Sequence, residues 1–311
     1  MNAVVKAHSG AVPGRTCPVS YRHAPSVFDR EPEIVADTLY VVGGLYGNVE
    51  ALRAIEMLAR DEATPPVIVF NGDFHWFDVD GADFAAIDRG VMRHRALRGN
   101  VETELANDEG DAGCGCAYPD EVSDADVARS NEILDRLRKT ARQAPAMRAA
   151  LAGLPMHLVA RVGDTRVGVV HGDATSLAGW GFAHDRLEAP SHRRWLENVF
   201  AESKVDLFAS THTCLPAFRD FGFGAVANNG AAGMPNFVGT RHGLLTRIGL
   251  RAHGGGEPRL AMRVGGAHVE ALRIEYDHAR FVERFLSSWP EGSPAHASYY
   301  RRIAEGPRFA A

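Results

Sequence analysis

Short apolar runs alternate with stretches of helical periodicity through the first third of the chain. Residues 38–42 and 67–70 are short and largely apolar, the pattern of strands buried within a sheet. Between them a glycine turn leads to Asn48, which is placed to cap a helix over 50–59. A helical stretch over 82–94 follows, and residues 95–98 lead into Gly99 and Asn100. Strand, loop and helix in repeated order predict parallel α/β construction, in which sites gather at the carboxyl ends of strands.

The pattern then changes. Residues 103–122 read as a polar, glycine-rich loop carrying Cys114 and Cys116. Ser123 is placed to open one or two helices reaching about residue 152. Residues 156–162 and 165–170, on either side of Gly163 and Asp164, read as a hairpin. A helix over 191–203 precedes a strand over 206–210, short strands fill 216–276, and two amphipathic helices end the chain. Residues 1–36 mix Pro, Gly, Ser and Arg without periodicity and predict an extension that is partly ordered at best. The expected plan is that extension, an α/β core over 37–276 with a helical insertion at about 123–152, and C-terminal helices over 277–311 packed on the core.

Composition narrows the function classes. With 311 residues, 45 % of them hydrophobic, the chain can bury a substantial core. A formal charge of −5, from 34 basic and 39 acidic residues, is too mild and mixed for a general nucleic-acid or membrane-surface binder. Four cysteines are too few for a disulfide scaffold of this length, which favours a reducing, cytoplasmic setting. The uncharged run over 221–240 holds glycines, Pro235, Asn228, Asn229 and Asn236, which a bilayer would reject, and no secretory leader is read at the start.

Candidate chemistry lies at the expected strand ends. Asp73 follows one apolar run, Asn100 another, His171 the run 167–170, and His212 the run 206–210. A single Asp or His at such a place is more often a turn former or a cap. Four in succession supply one carboxylate, one amide oxygen and two imidazoles, a set suited to a divalent Mn, Fe or Zn ion.

With these segments in order, residues 38–240 resemble the calcineurin-like metallophosphoesterase superfamily, in its compact bacterial phosphodiesterase-like branch. The family pattern D-x-H-G-N, G-D, G-N-[H/C]-[D/E], V-H-G, G-H-x-H is similar to five segments here. They are Gly44-Leu45-Tyr46-Gly47-Asn48, Gly72-Asp73, Gly99-Asn100-Val101-Glu102, Val170-His171-Gly172 and Thr211-His212-Thr213-Cys214. Residues 228–235 resemble the N-P-G-S segment that closes the site in that branch. The resemblance implies a sandwich of two mixed β-sheets flanked by helices, with metal at the carboxyl edge of the strands.

It also implies two metals, and the departures sort between them. One ligand set survives whole as Asp73, Asn100, His171 and His212, whereas the other is replaced by Gly44, Tyr46 and Cys214 and keeps only Asp73. One site is therefore expected. A second could be rebuilt from Tyr46, Cys214 and His75, because Asp73-Phe74-His75, if extended, puts Asp73 and His75 on one face. The family's proton-donating His is Val101 here, which leaves His75 as a candidate general acid beside Asn100 and His171. Asn48 and Gly230 are candidates to orient phosphate oxygens, and Glu102 to orient a ligand from behind. Cys114 and Cys116 lie in a loop that could reach the site, and Arg193, Arg194, Arg301 and Arg302 form basic pairs that could meet a phosphorylated substrate but are read mainly as solvated helix faces.

The resemblance implies a metal-dependent phosphoesterase acting on a small phosphomonoester or phosphodiester through metal-activated water. Two alternatives are a non-catalytic metal-binding or scaffold protein on the same fold, and an iron-type metalloenzyme of another reaction class using Tyr46 or Cys214.

Overall fold

The computed structural model describes residues 12–107, 112–255 and 258–308. In chain order the strands are β1 (Ile34–Val35), β2 (Thr38–Val42), β3 (Val67–Asn71), β4 (Arg95–Leu97), β5 (His157–Val162), β6 (Thr165–Val170), β7 (Leu207–Ser210), β8 (Pro216–Asp220), β9 (Ala225–Asn229), β10 (Gly243–Gly249), β11 (Ala261–Val264) and β12 (Ala267–Ile274). The helices are α1 (Val49–Arg60), α2 (Gly81–Val91), α3 (Asn100–Ala106), α4 (Asp124–Arg142), α5 (Pro145–Ala152), α6 (His184–Glu188), α7 (Arg193–Ser203), α8 (His278–Ser288) and α9 (Pro294–Glu305).

Among the described residues the strands form two mixed sheets of six. One runs β1-β5-β6-β7-β9-β8 and the other β11-β12-β10-β2-β3-β4. Strands β2, β3 and β4 are mutually parallel in one sheet, as are β6, β7 and β9 in the other. The chain is thus an α/β sandwich of two mixed sheets flanked by helices, as its sequence predicts.

Alternation along the strands explains the layering. In β2, Leu39 and Val41 enter the core between the sheets, while Tyr40 and Val42 enter the core under the helices. Strand β3 repeats this with Val69 inward and Ile68 and Phe70 outward. On the opposite sheet Val167, Val169, Leu207 and Ala209 face the shared core, and Phe208 packs outward with Leu196, Val199 and Phe200 of α7. Strands apolar on both faces need cover on both, and the helices supply it.

Two expectations change. The segment expected as a partly ordered extension packs onto the fold from residue 12 onward; residues 1–11 lie outside the described residues. Tyr21 and Phe28 are buried, and β1 pairs in parallel with β5. Two aromatic anchors outweigh a composition that reads as loop. Second, the expected loop over 103–122 begins inside a helix, α3, and residues 108–111 lie outside the described ones. Glu102 makes that helix by accepting the Gly99 N–H at 2.8 Å, an N-terminal cap supplied from its third position. No helix among the described residues is long and apolar enough to cross a membrane.

Candidate metal centre

The parallel strands deliver four side chains to one edge of the sandwich. Asp73 lies just beyond β3, Asn100 begins α3 after β4, His171 follows β6, and His212 follows β7. The two sheets are tied together there, because Asn71 Nδ2 donates to Val170 O at 2.6 Å and His171 Nδ1 lies 2.9 Å from Asn71 O. Gly72 permits the close approach. Its φ is +75°, and a Cβ there would stand 2.4 Å from Gly99 N and 2.7 Å from His171 Nδ1.

The hydrogen-bond partners fix which atoms face inward. A carbonyl only accepts, so His171 Nδ1 carries a proton toward Asn71 O, and Nε2 is left to act on the site. His212 Nε2 donates to Cys116 O at 3.0 Å, which leaves Nδ1 as a lone pair. Asn100 Nδ2 donates to Cys114 O at 2.9 Å, turning Oδ1 inward. The Asp73 carboxylate accepts the Val101 N–H at 3.2 Å through Oδ1 and turns Oδ2 to the same place.

His171 Nε2 therefore stands 3.1 Å from Asn100 Oδ1, 3.1 Å from His212 Nδ1 and 3.3 Å from Asp73 Oδ2. Donors held ~2.1 Å from one ion at octahedral or tetrahedral angles stand about 3.0–3.4 Å apart. The four groups are buried. Lone pairs crowded at this spacing away from water demand a positive charge among them, either a proton on His171 or a cation. Among the described residues, Asp73, His171 and His212 form the one cluster of His, Cys, Asp and Glu side chains that could hold a metal ion, and Asn100 joins them.

Electrostatics follow from the same crowding. Burial works to raise Asp73, but His171, by charge and hydrogen bond, holds it below the usual carboxylate range. Burial works to lower His171, and Asp73 overrides it and raises it. His212, penalised by burial and by the neighbouring His171 charge, is pushed down to about 3 and stays a neutral imidazole.

Glu102 sits behind this group. It is buried and accepts the backbone N–H groups of Gly99 and Asp73, each at 2.8 Å, Phe74 at 3.0 Å and His75 at 3.3 Å. Asp73 has φ +51°, a left-handed conformation that Asp tolerates better than most residues, and this cradle holds it there.

That same turn removes His75 from the site. Left-handed backbone at Asp73 breaks the extended alternation that would have put both side chains on one face. His75 Nδ1 instead pairs with Asp78 at 2.6 Å, and its ring stacks on Phe84 at 4.0 Å between centroids. It is therefore not brought to the donor group as a ligand or as an acid.

Tyr46 and Cys214 do lie beside Asp73, but they bond to each other, with the hydroxyl 2.8 Å from the thiol sulfur. Gly44 makes room for them. At φ +66°, a Cβ on Gly44 would meet the Tyr46 ring and hydroxyl at 2.8–2.9 Å. The place where a D-x-H carboxylate would begin is filled by a phenol. Burial, then Cys214, pushes the Tyr46 hydroxyl well above its ordinary pKa, and burial raises Cys214 as well, so both keep their protons in this setting.

The expected phosphate contacts are also corrected. Asn48 caps α1 through Oδ1 to Ala51 N–H at 3.0 Å, and its amide donates to Gly233 O at 2.9 Å. Gly230 N–H goes to Asn228 Oδ1, Ala231 N–H to Asn236 Oδ1, and Gly233 N–H to Gly44 O. The glycine turn closes the fold with its own donors and has none left for an anion there.

Sequence reasoning missed the aromatic residues that surround the donor group. Trp76, Tyr118, Trp180, Tyr299 and Arg302 line a cavity with it. Arg302 comes from the last helix, where the sequence allowed contact with a phosphorylated substrate but favoured a solvated face, and it donates to Cys214 O at 2.6 Å and Pro235 O at 3.3 Å. The carbonyls of Cys114 and Cys116 fix two donors, a role for which side-chain identity gives no signal.

No protein-family model matches the sequence, and no curated protein matches it. Solved structures do. A hypothetical protein of Pyrococcus horikoshii OT3 superposes with a TM-score of 0.61 at 16 % identity, over 89 % of this chain and 100 % of that one. A metallophosphoesterase of Sphaerobacter thermophilus superposes with a TM-score of 0.56, also at 16 % identity, over 88 % of this chain and 100 % of that one. With paired mixed sheets and the donor group at their carboxyl edge, the chain has the calcineurin-like metallophosphoesterase fold.

Proposed function

We propose that the protein is a metal-dependent phosphoesterase hydrolysing a small phosphomonoester or phosphodiester. One divalent Mn, Fe or Zn ion would be held by Asp73, Asn100, His171 and His212. The observation that carries this reading is the convergence of four buried inward-facing donors, three of them 3.1–3.3 Å from the fourth, His171 Nε2. When bound, such an ion polarises a phosphoryl oxygen and brings the pKa of water toward neutrality.

The chain's own part is positional. Carbonyls of Asn71, Cys114 and Cys116 hold the second polar atoms of His171, Asn100 and His212, so that no ligand can rotate away. Arg302 adds a fixed cation to the lining, suited to the charge of a phosphoryl group. The Tyr46–Cys214 bond favours one ion over two, because both groups are satisfied by each other.

Elemental analysis of protein purified without chelator tests the reading. One equivalent of metal per chain is expected, with loss of both metal and phosphate-ester hydrolysis in Asp73→Ala and His171→Ala. Metal without hydrolysis of any mono- or diester would point to the scaffold alternative. A tyrosinate–iron absorption band lost in Tyr46→Phe would point to the iron enzyme.

A further inference from the structure

The cavity beside the donor group has a volume of about 190 Å³. Its walls are aromatic. Trp180 meets the His212 ring edge-on at 5.4 Å and Tyr118 at 6.1 Å, and Trp76 meets Tyr299 at 6.4 Å. The polar ends of two of these rings are already used. Trp180 Nε1 donates to Cys116 O at 3.1 Å, and Tyr118 bonds Ser130 Oγ at 3.1 Å. Trp180 and Tyr118 therefore offer a ligand carbon surface more than hydrogen bonds.

Size and charge narrow the occupant. A cavity of about 150 Å³ takes benzene, whereas pockets for larger ligands run to roughly 300–1,000 Å³. This volume matches one ring. Arg302 spends two N–H groups on carbonyls, out of the five a guanidinium carries, which leaves donors for an anion. Outside the donor group, the described lining offers thiols, phenols, the Thr213 hydroxyl and this guanidinium, with no carboxyl or imidazole to protonate a departing alkoxide. Val101, buried in the wall, stands next to Asn100.

We infer that this cavity receives the ring of a small monocyclic aryl phosphate ester, with Arg302 facing its phosphoryl group. The inference rests on the phosphoesterase reading above. Water oxygen forms the new bond to phosphorus as the bond from phosphorus to the ring oxygen breaks. The electron pair stays on that oxygen, giving a phenolate and dihydrogen phosphate from a monoester dianion and water. A weakly basic phenolate leaves without an acid, and the strongly basic alkoxide of an ordinary alcohol does not.

The test compares phenyl phosphate with hexafluoroisopropyl phosphate, whose alcohol is of similar acidity, on Mn-loaded protein. Phenyl phosphate is expected to have the higher kcat/KM by about tenfold or more, a preference erased in Trp180→Ala and kept in Trp180→Phe. Equal values for the two esters would overturn the inference while leaving the phosphoesterase reading intact. Hydrolysis of neither would sink that reading, and quenching of tryptophan fluorescence by non-hydrolysable phosphonates then decides the pocket separately. Phenylphosphonate binding more tightly than methylphosphonate supports the ring site, and equal binding overturns it. Val101→His, which adds an imidazole to the wall, is expected to raise turnover of glycerol phosphate relative to phenyl phosphate by about tenfold or more. No change in that ratio would count against acid-free departure.

Discussion

Glu102 shows how one buried carboxylate can govern a site it does not enter. Its oxygens gather four backbone N–H groups, two from the ends of the strand turns that carry Asp73 and Asn100. Glu102→Gln would turn an amide donor toward N–H donors, loosening Asp73 from its left-handed turn. Metal affinity is expected to fall about 10–100-fold, read by titration against a competing chelator, with the far-ultraviolet circular dichroism unchanged. At this scale the sequence was legible where a side chain follows an apolar run: Asp73, Asn100, His171 and His212 all converge. It was illegible where backbone carbonyls do the orienting, and at Asp73, whose φ of +51° a reading based on extended alternation does not foresee.

Among the elements, α1 is the plainest case. Asn48 precedes an amphipathic stretch, and the structure makes it the N-cap, with its amide tying the helix start to Gly233. Both ends of that side chain are structural. Asn48→Ala is expected to cost about 1–2 kcal/mol, seen as a lower urea midpoint, while KM and metal stoichiometry stay at the wild-type values. A raised KM with unchanged stability would return Asn48 to a role in substrate binding. Strands β2, β3, β6 and β7 were visible because burial on both faces leaves an apolar run. Helix α3 was hidden because its cap comes from its own third residue, and its first turn is spent on the site.

Across the whole molecule, the N-terminal segment and the sheet that it joins carry a pH dependence separate from the metal centre. Arg30 points both Nη atoms at His157 Nδ1, each at 3.2 Å, and a guanidinium can only donate, so this imidazole is neutral. Burial, then the charges of His23 and Arg30, hold its pKa down to about 4. The unfolded chain takes up that proton near 6.5, so the stability that neutral His157 contributes is full above pH 6.5 and drains away as pH falls toward 4. Urea midpoints followed through that window should fall less steeply in His157→Gln than in the wild type. Identical slopes would show that the imidazole titrates normally in the folded chain.

The bonds that complete the centre join parts of the chain far apart in sequence. Tyr46 and Cys214 are 168 residues apart, His212 and Cys116 are 96 apart, Arg302 and Cys214 are 88 apart, and Tyr21 reaches 83 residues to Glu104 in α3. Closing loops of that length comes late in folding, after local helices and hairpins have formed. An intermediate with both sheets paired would still lack His212's carbonyl partner and the Arg302 wall. Acquisition of metal is then a clock for the final topology: during refolding, ion uptake should lag the recovery of secondary structure and keep pace with the burial of Trp180.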